Sequence, residues 1–180
     1  MATTKLTTID DLWHINEPGR FDLIRGELYH MPPAGEEHSQ IGINLIVPLT
    51  LHVRTTQSGR VYGPDAGFIL ARDPDILLSP DVAFVRTDRL PQGRWTGFLP
   101  VPPDLAVEIV SPSDRPSLVT SKVMQYLSAG VRLVWLIEPD ERVITAYSPD
   151  RSPHVYTVSD DIDAGEVVPG FRIRVSEIFP

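Results

Sequence analysis

Residues 105–137 read LAVEIVSPSDRPSLVTSKVMQYLSAGVRLVWLI, in which two apolar runs flank a segment with helical spacing. The nearly continuous apolar runs at its two ends are typical of strands that are covered on both faces. Between them the pattern predicts a helix from about Pro116 to Ser128, with Asp114 as its N-cap and Gly130 just past its end. A strand, a helix and a strand of these lengths indicate a right-handed βαβ crossover, so the two strands are expected to lie in one sheet.

The flanking segments add strands and one long helix to this unit. We expect a hairpin over 21–31 and a helix over about 36–55, which Pro48 should kink. Further elements are expected at 67–70, 79–85, 142–147, 154–158 and 171–175 as strands and at 8–13 as a short capped helix. The order predicts an α/β (α+β) fold, in which a mixed β-sheet is flanked by helices, within a single domain covering residues 1–180.

The composition excludes several classes of function. The chain has 180 residues, no cysteine and a formal net charge of −8. Thiol catalysis and zinc–thiolate sites are therefore excluded, and tight non-specific binding to nucleic acid is disfavoured because it needs many phosphate contacts. No apolar run approaches the roughly 20 residues that span a bilayer, and the N-terminal residues lack an apolar signal core. We expect a cytoplasmic protein without a membrane partner.

Glu108 interrupts the first apolar run of the βαβ unit. By the two-residue period of a strand it shares a face with Ala106 and Val110. An ionised carboxylate there is costly unless it is paired or coordinates a metal. The alternative is an edge strand whose glutamate points to water.

Lys122 lies in the apolar stripe of the predicted helix. It stands at four-residue spacing between Leu118 and Tyr126, so the helix directs its only lysine at the sheet. An ammonium group held inside needs anionic partners, and Glu108 is the nearest by topology. The alternative is a side chain that extends past the helix edge to water.

Asp81 follows Pro80 at the start of another apolar strand. Taken alone, it reads equally well as a turn aspartate that bonds its own backbone. Its functional reading depends on Glu108 lying on a neighbouring strand. Two buried carboxylates with a nearby ammonium are what a metal-dependent phosphodiester hydrolase needs.

Five stretches carry a resemblance to a known family. They are FDLIRGEL (21–28), SPDVA (79–83), VEIVSPSD (107–114), KVMQYLSAGV (122–131) and VWLIEP (134–139). Pro80-Asp81, Glu108 and a lysine resemble the PD-(D/E)XK nuclease superfamily, and the five stretches together resemble its Uma2 family of restriction endonucleases. The resemblance implies a restriction-endonuclease-like fold. The superfamily's usual lysine position holds Val110 here, so the resemblance implies that Lys122 has taken over from the adjacent helix.

The resemblance also implies a reaction and its participants. Asp81, Glu108 and the Ile109 carbonyl are expected to hold Mg²⁺ or Mn²⁺, with Lys122 as the catalytic cation and nucleic acid, in particular DNA, as substrate. Family positions further suggest Glu27 and His38 as additional or supporting groups. An exposed hairpin glutamate and a surface histidine are the alternatives.

Two loop features between the acids remain open. Arg86, Arg89 and Arg94 are candidates for contacts to backbone phosphates, or they form an exposed solubilising loop. The apolar residues 95, 98 and 99 either cover the site or form a homodimer contact.

The rival function is a catalytically inactive nuclease fold that serves as a nucleic-acid-binding or assembly module. The acidic net charge and the scarcity of lysine favour it. A serine hydrolase lacks support because the chain has no Gly-x-Ser-x-Gly elbow.

Overall fold

The structure, a computed structural model, describes residues 7–14 and 19–180. Its strands are β1 (Arg20–Ile24), β2 (Glu27–Met31), β3 (Gly59–Tyr62), β4 (Phe68–Ala71), β5 (Ile76–Leu78), β6 (Val82–Arg86), β7 (Leu105–Ile109), β8 (Leu133–Glu138), β9 (Val143–Ser148), β10 (Arg151–Thr157), β11 (Asp161–Asp163) and β12 (Arg172–Arg174). The helices are α1 (Glu36–Thr56) and α2 (Pro116–Ser128), with short 3-10 turns at Asp11–His14, Thr87–Arg89 and Val175–Glu177.

A six-stranded sheet in the order β10-β9-β8-β7-β6-β3 forms the centre of the molecule. The pair β7 and β8 is parallel, and the other neighbours are antiparallel. The parallel pair is joined through α2, as the crossover pattern predicts. All five residues of β7 are buried, which is what a strand covered on both faces requires.

The two faces of this sheet are covered by different elements. One face packs on α1, whose residues Ile41, Leu45, Leu49 and Val53 recur at helical spacing, and on the small β11-β12 sheet. The other face packs on α2, through Val123 and Tyr126, and on a four-stranded sheet in the order β2-β1-β5-β4. The result is the expected mixed sheet flanked by helices.

Most predicted elements are confirmed, and the differences are local. The predicted strand at 79–85 begins at Val82. The short strands β3, β5 and β11 were not predicted. Asp114 does not cap α2, because the helix begins after Arg115 and the Asp114 carboxylate accepts the Ser111 N–H of the preceding turn (2.8 Å). Neither helix in the described part of the chain is long and apolar enough to cross a membrane.

Candidate metal-dependent active site

Asp81 and Glu108 lie on neighbouring segments of the central sheet. Asp81 directly precedes β6, and its N–H donates to the carbonyl of Val107 on β7 (2.9 Å). The Asp81 carboxylate accepts the Ile109 N–H (2.9 Å), so Asp81 bonds to the chain neighbours of Glu108 on both sides. Both acids are buried. The expectation that their strands are neighbours is confirmed.

Lys122 points from α2 into the sheet and contacts Glu108. Its Nζ lies 2.5 Å from Glu108 Oε2, and only 5% of the residue is exposed. The side chain therefore points into the protein and does not extend to solvent. The same Nζ lies 3.0 Å from Asp22 Oδ2, which makes Lys122 the centre of two ion pairs.

Asp22 is a third buried acid that the sequence reasoning missed. It lies on β1, is 1% exposed, and its Oδ1 accepts the backbone N–H of Ser79 (2.9 Å). It thus connects Lys122 to the segment that carries Asp81. The signal was present, because Asp22 interrupts the apolar run of residues 21–24 just as Glu108 interrupts its own.

Tyr126 is the second residue that the sequence reasoning missed as part of the site. It lies one helical turn after Lys122, and its hydroxyl donates to Glu108 Oε1 (2.6 Å). Glu108 therefore accepts one donor on each oxygen. The helical spacing places Tyr126 in the apolar stripe, and no pattern in the sequence separates a tyrosine with a polar partner from one that only packs.

His38 and Arg20 lie on the other side of Asp81. His38 Nε2 is 3.3 Å from Asp81 Oδ2, the oxygen that also accepts the Ile109 N–H (2.9 Å). Arg20 Nη2 is 3.7 Å from Asp81 Oδ1 and donates to the Ser79 carbonyl (3.0 Å). The family-based suggestion of His38 therefore corresponds to a direct contact with one of the two central acids.

The charges shift the pKa values of Glu108 and its two donors. Burial raises the pKa of Glu108 to about 7, helped by Asp81 and Asp22 and opposed by Lys122. Burial alone would lower the pKa of Lys122, but Glu108 and Asp22 outweigh it and raise that pKa, so the amine stays protonated. Burial and the charge of Glu108 raise the pKa of Tyr126 well above its ordinary value, so its hydroxyl remains a donor.

Asp81 and His38 shift each other's pKa values in opposite directions. Burial would raise the pKa of Asp81, but the hydrogen bond and charge of His38, with the Ile109 N–H, lower it. The hydrogen bond to Asp81 raises the pKa of His38 despite burial, and a hydrogen bond to the Ile109 backbone adds to this.

Stability is expected to fall as pH rises from about 5 to 7.5. Over this range folded Glu108 keeps a proton that the unfolded chain, with a pKa near 4.5, has released. At 1.36 kcal/mol per pKa unit, the loss from this group is up to about 3 kcal/mol. The raised pKa of His38 acts in the same direction above 6.5, while Asp81 titrates below this window.

Urea unfolding at several pH values checks this expectation. Glu108→Gln removes the titrating group, so its stability should change much less over the same range. Glu27→Gln is the matched control, because Glu27 is exposed. Equal pH slopes in wild type and Glu108→Gln would contradict the expectation.

The oxygen atoms of Asp81, Glu108 and the Ile109 carbonyl suit a small divalent cation. Two carboxylates and the Ile109 carbonyl supply the oxygen ligands that Mg²⁺ and Mn²⁺ prefer. A cavity of about 20 Å³, room for about one water molecule, lies on the Lys122 side of Glu108 and Ile109, and Asp81 does not line it. No group of three or more His, Asp and Glu side chains within residues 7–14 and 19–180 is arranged to hold a metal. A cation here would therefore complete its shell with water, as Mg²⁺ commonly does.

An open cavity of about 450 Å³ beside His38 and Val110 carries further negative charge. Its lining includes five acidic residues: Glu36, Glu37, Glu138, Asp140 and Glu141. A phosphate that enters from this side meets like charges unless a bound cation reverses the local field.

The remaining predicted residues lie away from this cluster. Glu27 is exposed, and its carboxylate accepts the Tyr29 hydroxyl (2.8 Å). Arg86 and Arg89 lie at the far end of β6 from Asp81, where they pair with Asp88 and Asp104. Because β6 and β7 run antiparallel, their connecting loop leaves from the edge opposite the acids, and phosphate contacts by these arginines stay a prediction. That loop also carries Arg94.

Three comparisons place the chain among known proteins. Residues 8–176 match the model of the Uma2 family, described as "Putative restriction endonuclease". A crystal structure of a putative nuclease belonging to DUF820, from Anabaena variabilis, superposes with a TM-score of 0.85 at 20% identity, covering 96% of this chain and 97% of that one. At that identity the superposition shows the shared fold. A search of curated proteins found no match.

Proposed function

The chain belongs to the Uma2 family of restriction-endonuclease-like proteins, and from this premise we propose that it is a metal-dependent endonuclease that hydrolyses phosphodiester bonds of DNA. The observation that carries the proposal is the burial of Asp81 beside β7 and of Glu108 within it, with the Lys122 ammonium on Glu108. Mg²⁺ or Mn²⁺ is the proposed cofactor. Asp81, Glu108 and the Ile109 carbonyl are its proposed ligands.

The cation, when bound, lowers the pKa of a water molecule and stabilises negative charge on the phosphate. The protein's own residues have separate roles in this scheme. Asp81 and Glu108 hold the cation, and no described donor hydrogen-bonds to Asp81 Oδ1, which leaves that oxygen available. Lys122 keeps its proton because of its raised pKa, so it serves as a fixed cation for the charge that develops on the phosphate rather than as a base.

Three further residues support these groups. Tyr126 fixes the orientation of the Glu108 carboxylate through Oε1. Asp22 restrains Lys122 and, through Ser79, the segment before Asp81. His38 lies against Asp81 Oδ2 and, when protonated, neutralises part of its charge. Pre-positioned groups of this kind need little reorganisation during the reaction.

Removal of the metal tests the proposal directly. Purified protein with Mn²⁺ or Mg²⁺ is expected to convert supercoiled plasmid to nicked and linear forms, and EDTA should stop the conversion. Agarose gels over time measure the rates, and a parallel preparation of Asp81→Asn controls for contaminating nuclease. Cleavage that persists in EDTA would contradict the assigned chemistry.

Calorimetric titration separates the enzyme from an inactive nuclease fold. The proposal expects Mn²⁺ binding that weakens strongly in Asp81→Asn and Glu108→Gln. It also expects tighter binding at pH 8 than at pH 6, because the Glu108 proton, with a pKa of about 7, must leave before a metal binds. Absence of any binding that depends on these two acids would favour the non-catalytic rival.

A further inference from the structure

A groove outside the acid cluster is lined by exposed aromatic residues. It has a volume of about 720 Å³ and lies between the 3-10 turn near Trp13, strand β3 and the loop that carries Trp95 and Phe98. Trp13 is 59% exposed and Trp95 is 52% exposed. None of the acids or donors of the active-site cluster lines it. Large aromatic side chains at such exposure carry a cost that calls for an explanation.

The rings of the groove are held in place by contacts with one another and with the backbone. Trp13 and Phe98 stack with centroids 4.5 Å apart and planes 27° apart. The Trp95 Nε1–H donates to the Phe98 carbonyl (2.8 Å), which uses the only polar atom of the indole. A side chain at position 67 would clash with Phe98, because a Cβ added at Gly67 would lie 2.7 Å from that ring. The glycine therefore lets the Phe98 ring pack directly against the backbone. The indole of Trp95 therefore offers a ligand its ring surface and no free hydrogen-bonding group.

The groove is positively charged, in contrast to the whole chain. Arg60 and Arg94 line it and are exposed, and neither has an ion pair within the described residues. Asp65 is its one acidic lining residue. The net charge of the protein is −8, so a local excess of guanidinium groups beside aromatic rings points to an anionic ligand with flat apolar parts.

From these observations we propose that this aromatic–arginine groove binds single-stranded nucleic acid, with unpaired bases stacked on Trp13 and Trp95 and phosphates at Arg60 and Arg94. Open aromatic faces combined with cationic side chains are the recurring means of holding single strands. Bases in a duplex are stacked on one another, so their faces do not reach such rings. This inference rests on the proposed function, because it names the form of the substrate that the nuclease holds.

Binding to a labelled oligothymidylate tests the groove separately from cleavage. The experiment uses the full chain carrying Asp81→Asn in EDTA, so that the result does not depend on catalysis, and follows fluorescence anisotropy. Adding Trp95→Ala is expected to weaken binding about tenfold or more. Arg94→Ala should weaken it several-fold and reduce its salt dependence. Trp95→Phe, which keeps a ring, should stay near the parent affinity, and thermal unfolding verifies that each variant is folded.

Arg54→Ala is the matched control, because Arg54 is an exposed arginine on α1 without an ion pair among the described residues. Tryptophan fluorescence gives a second measurement: Trp135 is fully buried, so quenching by the oligonucleotide reports on Trp13 and Trp95.

Unchanged affinity in both Trp95→Ala and Arg94→Ala would overturn the inference. Equal affinity for a duplex would overturn it as well. A third result would also overturn the inference: the parent dimerises, and Trp95→Ala abolishes the dimer without changing oligonucleotide binding. The groove would then be a protein interface. Each of these results leaves metal-dependent cleavage by Asp81 and Glu108 untouched.

Discussion

Asp81→Asn is expected to reduce metal-dependent cleavage about a thousandfold or more while the fold stays intact. A ligand that holds the metal contributes several kcal/mol to stabilising the transition state, and each 1.36 kcal/mol is tenfold in rate. The fold should persist because asparagine has the same shape, and its side-chain oxygen can still accept the Ile109 N–H. The backbone bond from residue 81 to Val107 does not involve the side chain.

Initial cleavage rates with saturating Mn²⁺, together with thermal unfolding, measure both parts of this expectation. Asp88→Asn is a suitable control, because Asp88 is exposed and pairs with Arg86 at the opposite end of β6. The control should cleave at the wild-type rate. If Asp81→Asn also cleaved at that rate, the proposed metal site would be in the wrong place.

The central part of the site was predictable because its residues break local patterns. Glu108 stands in an apolar strand and Lys122 in an apolar helix stripe, and burial of either charge alone is unfavourable enough to require a partner. The βαβ unit then brings the two together, since a crossover helix packs on the strands it connects. Asp81 could not be assigned in this way, because a residue after proline at a strand start is also an ordinary turn residue.

The residues that were missed depend on pairings between distant segments. Asp22 belongs to β1, in the four-stranded sheet, and meets Lys122 only because that sheet and α2 cover the same face of the central sheet. The short strand β5, whose three residues are all buried, makes this connection, and its pattern is too brief to predict. The sequence alone does not show which residues of β1 and β5 pair with each other.

The loop arginines show that closeness in sequence does not give closeness in space. Four residues of β6 separate Arg86 from Asp81, at about 3.3 Å per residue, so Arg86 and Arg89 lie at the far edge of the sheet. Their contact with backbone phosphates stays a prediction. The cation that does lie near Asp81 is Arg20, which comes from a distant part of the chain.

Lys122→Met is expected to have the second large effect, on stability as well as on cleavage. It leaves the carboxylates of Asp22 and Glu108 buried without their common cation. Removal of one partner from a buried ion pair costs about 3–5 kcal/mol. The loss of stability should be larger at pH 8 than at pH 6. At pH 6 the Glu108 carboxyl, with a pKa of about 7, is protonated and has no negative charge for Lys122 to balance. Cleavage should fall about a hundredfold or more through loss of the fixed cation.

A compensated variant separates the two effects of this lysine. Adding Asp22→Asn and Glu108→Gln to Lys122→Met removes the unpaired charges, so urea unfolding at pH 8 should recover most of the lost stability. Cleavage should remain absent, because no cation faces the phosphate and one metal ligand is gone. If Lys122→Met alone were as stable as wild type at pH 8, the ammonium would not be the partner of these two acids. If the compensated variant cleaved, the cluster would be a structural device of the fold, and the chemistry would have to lie elsewhere.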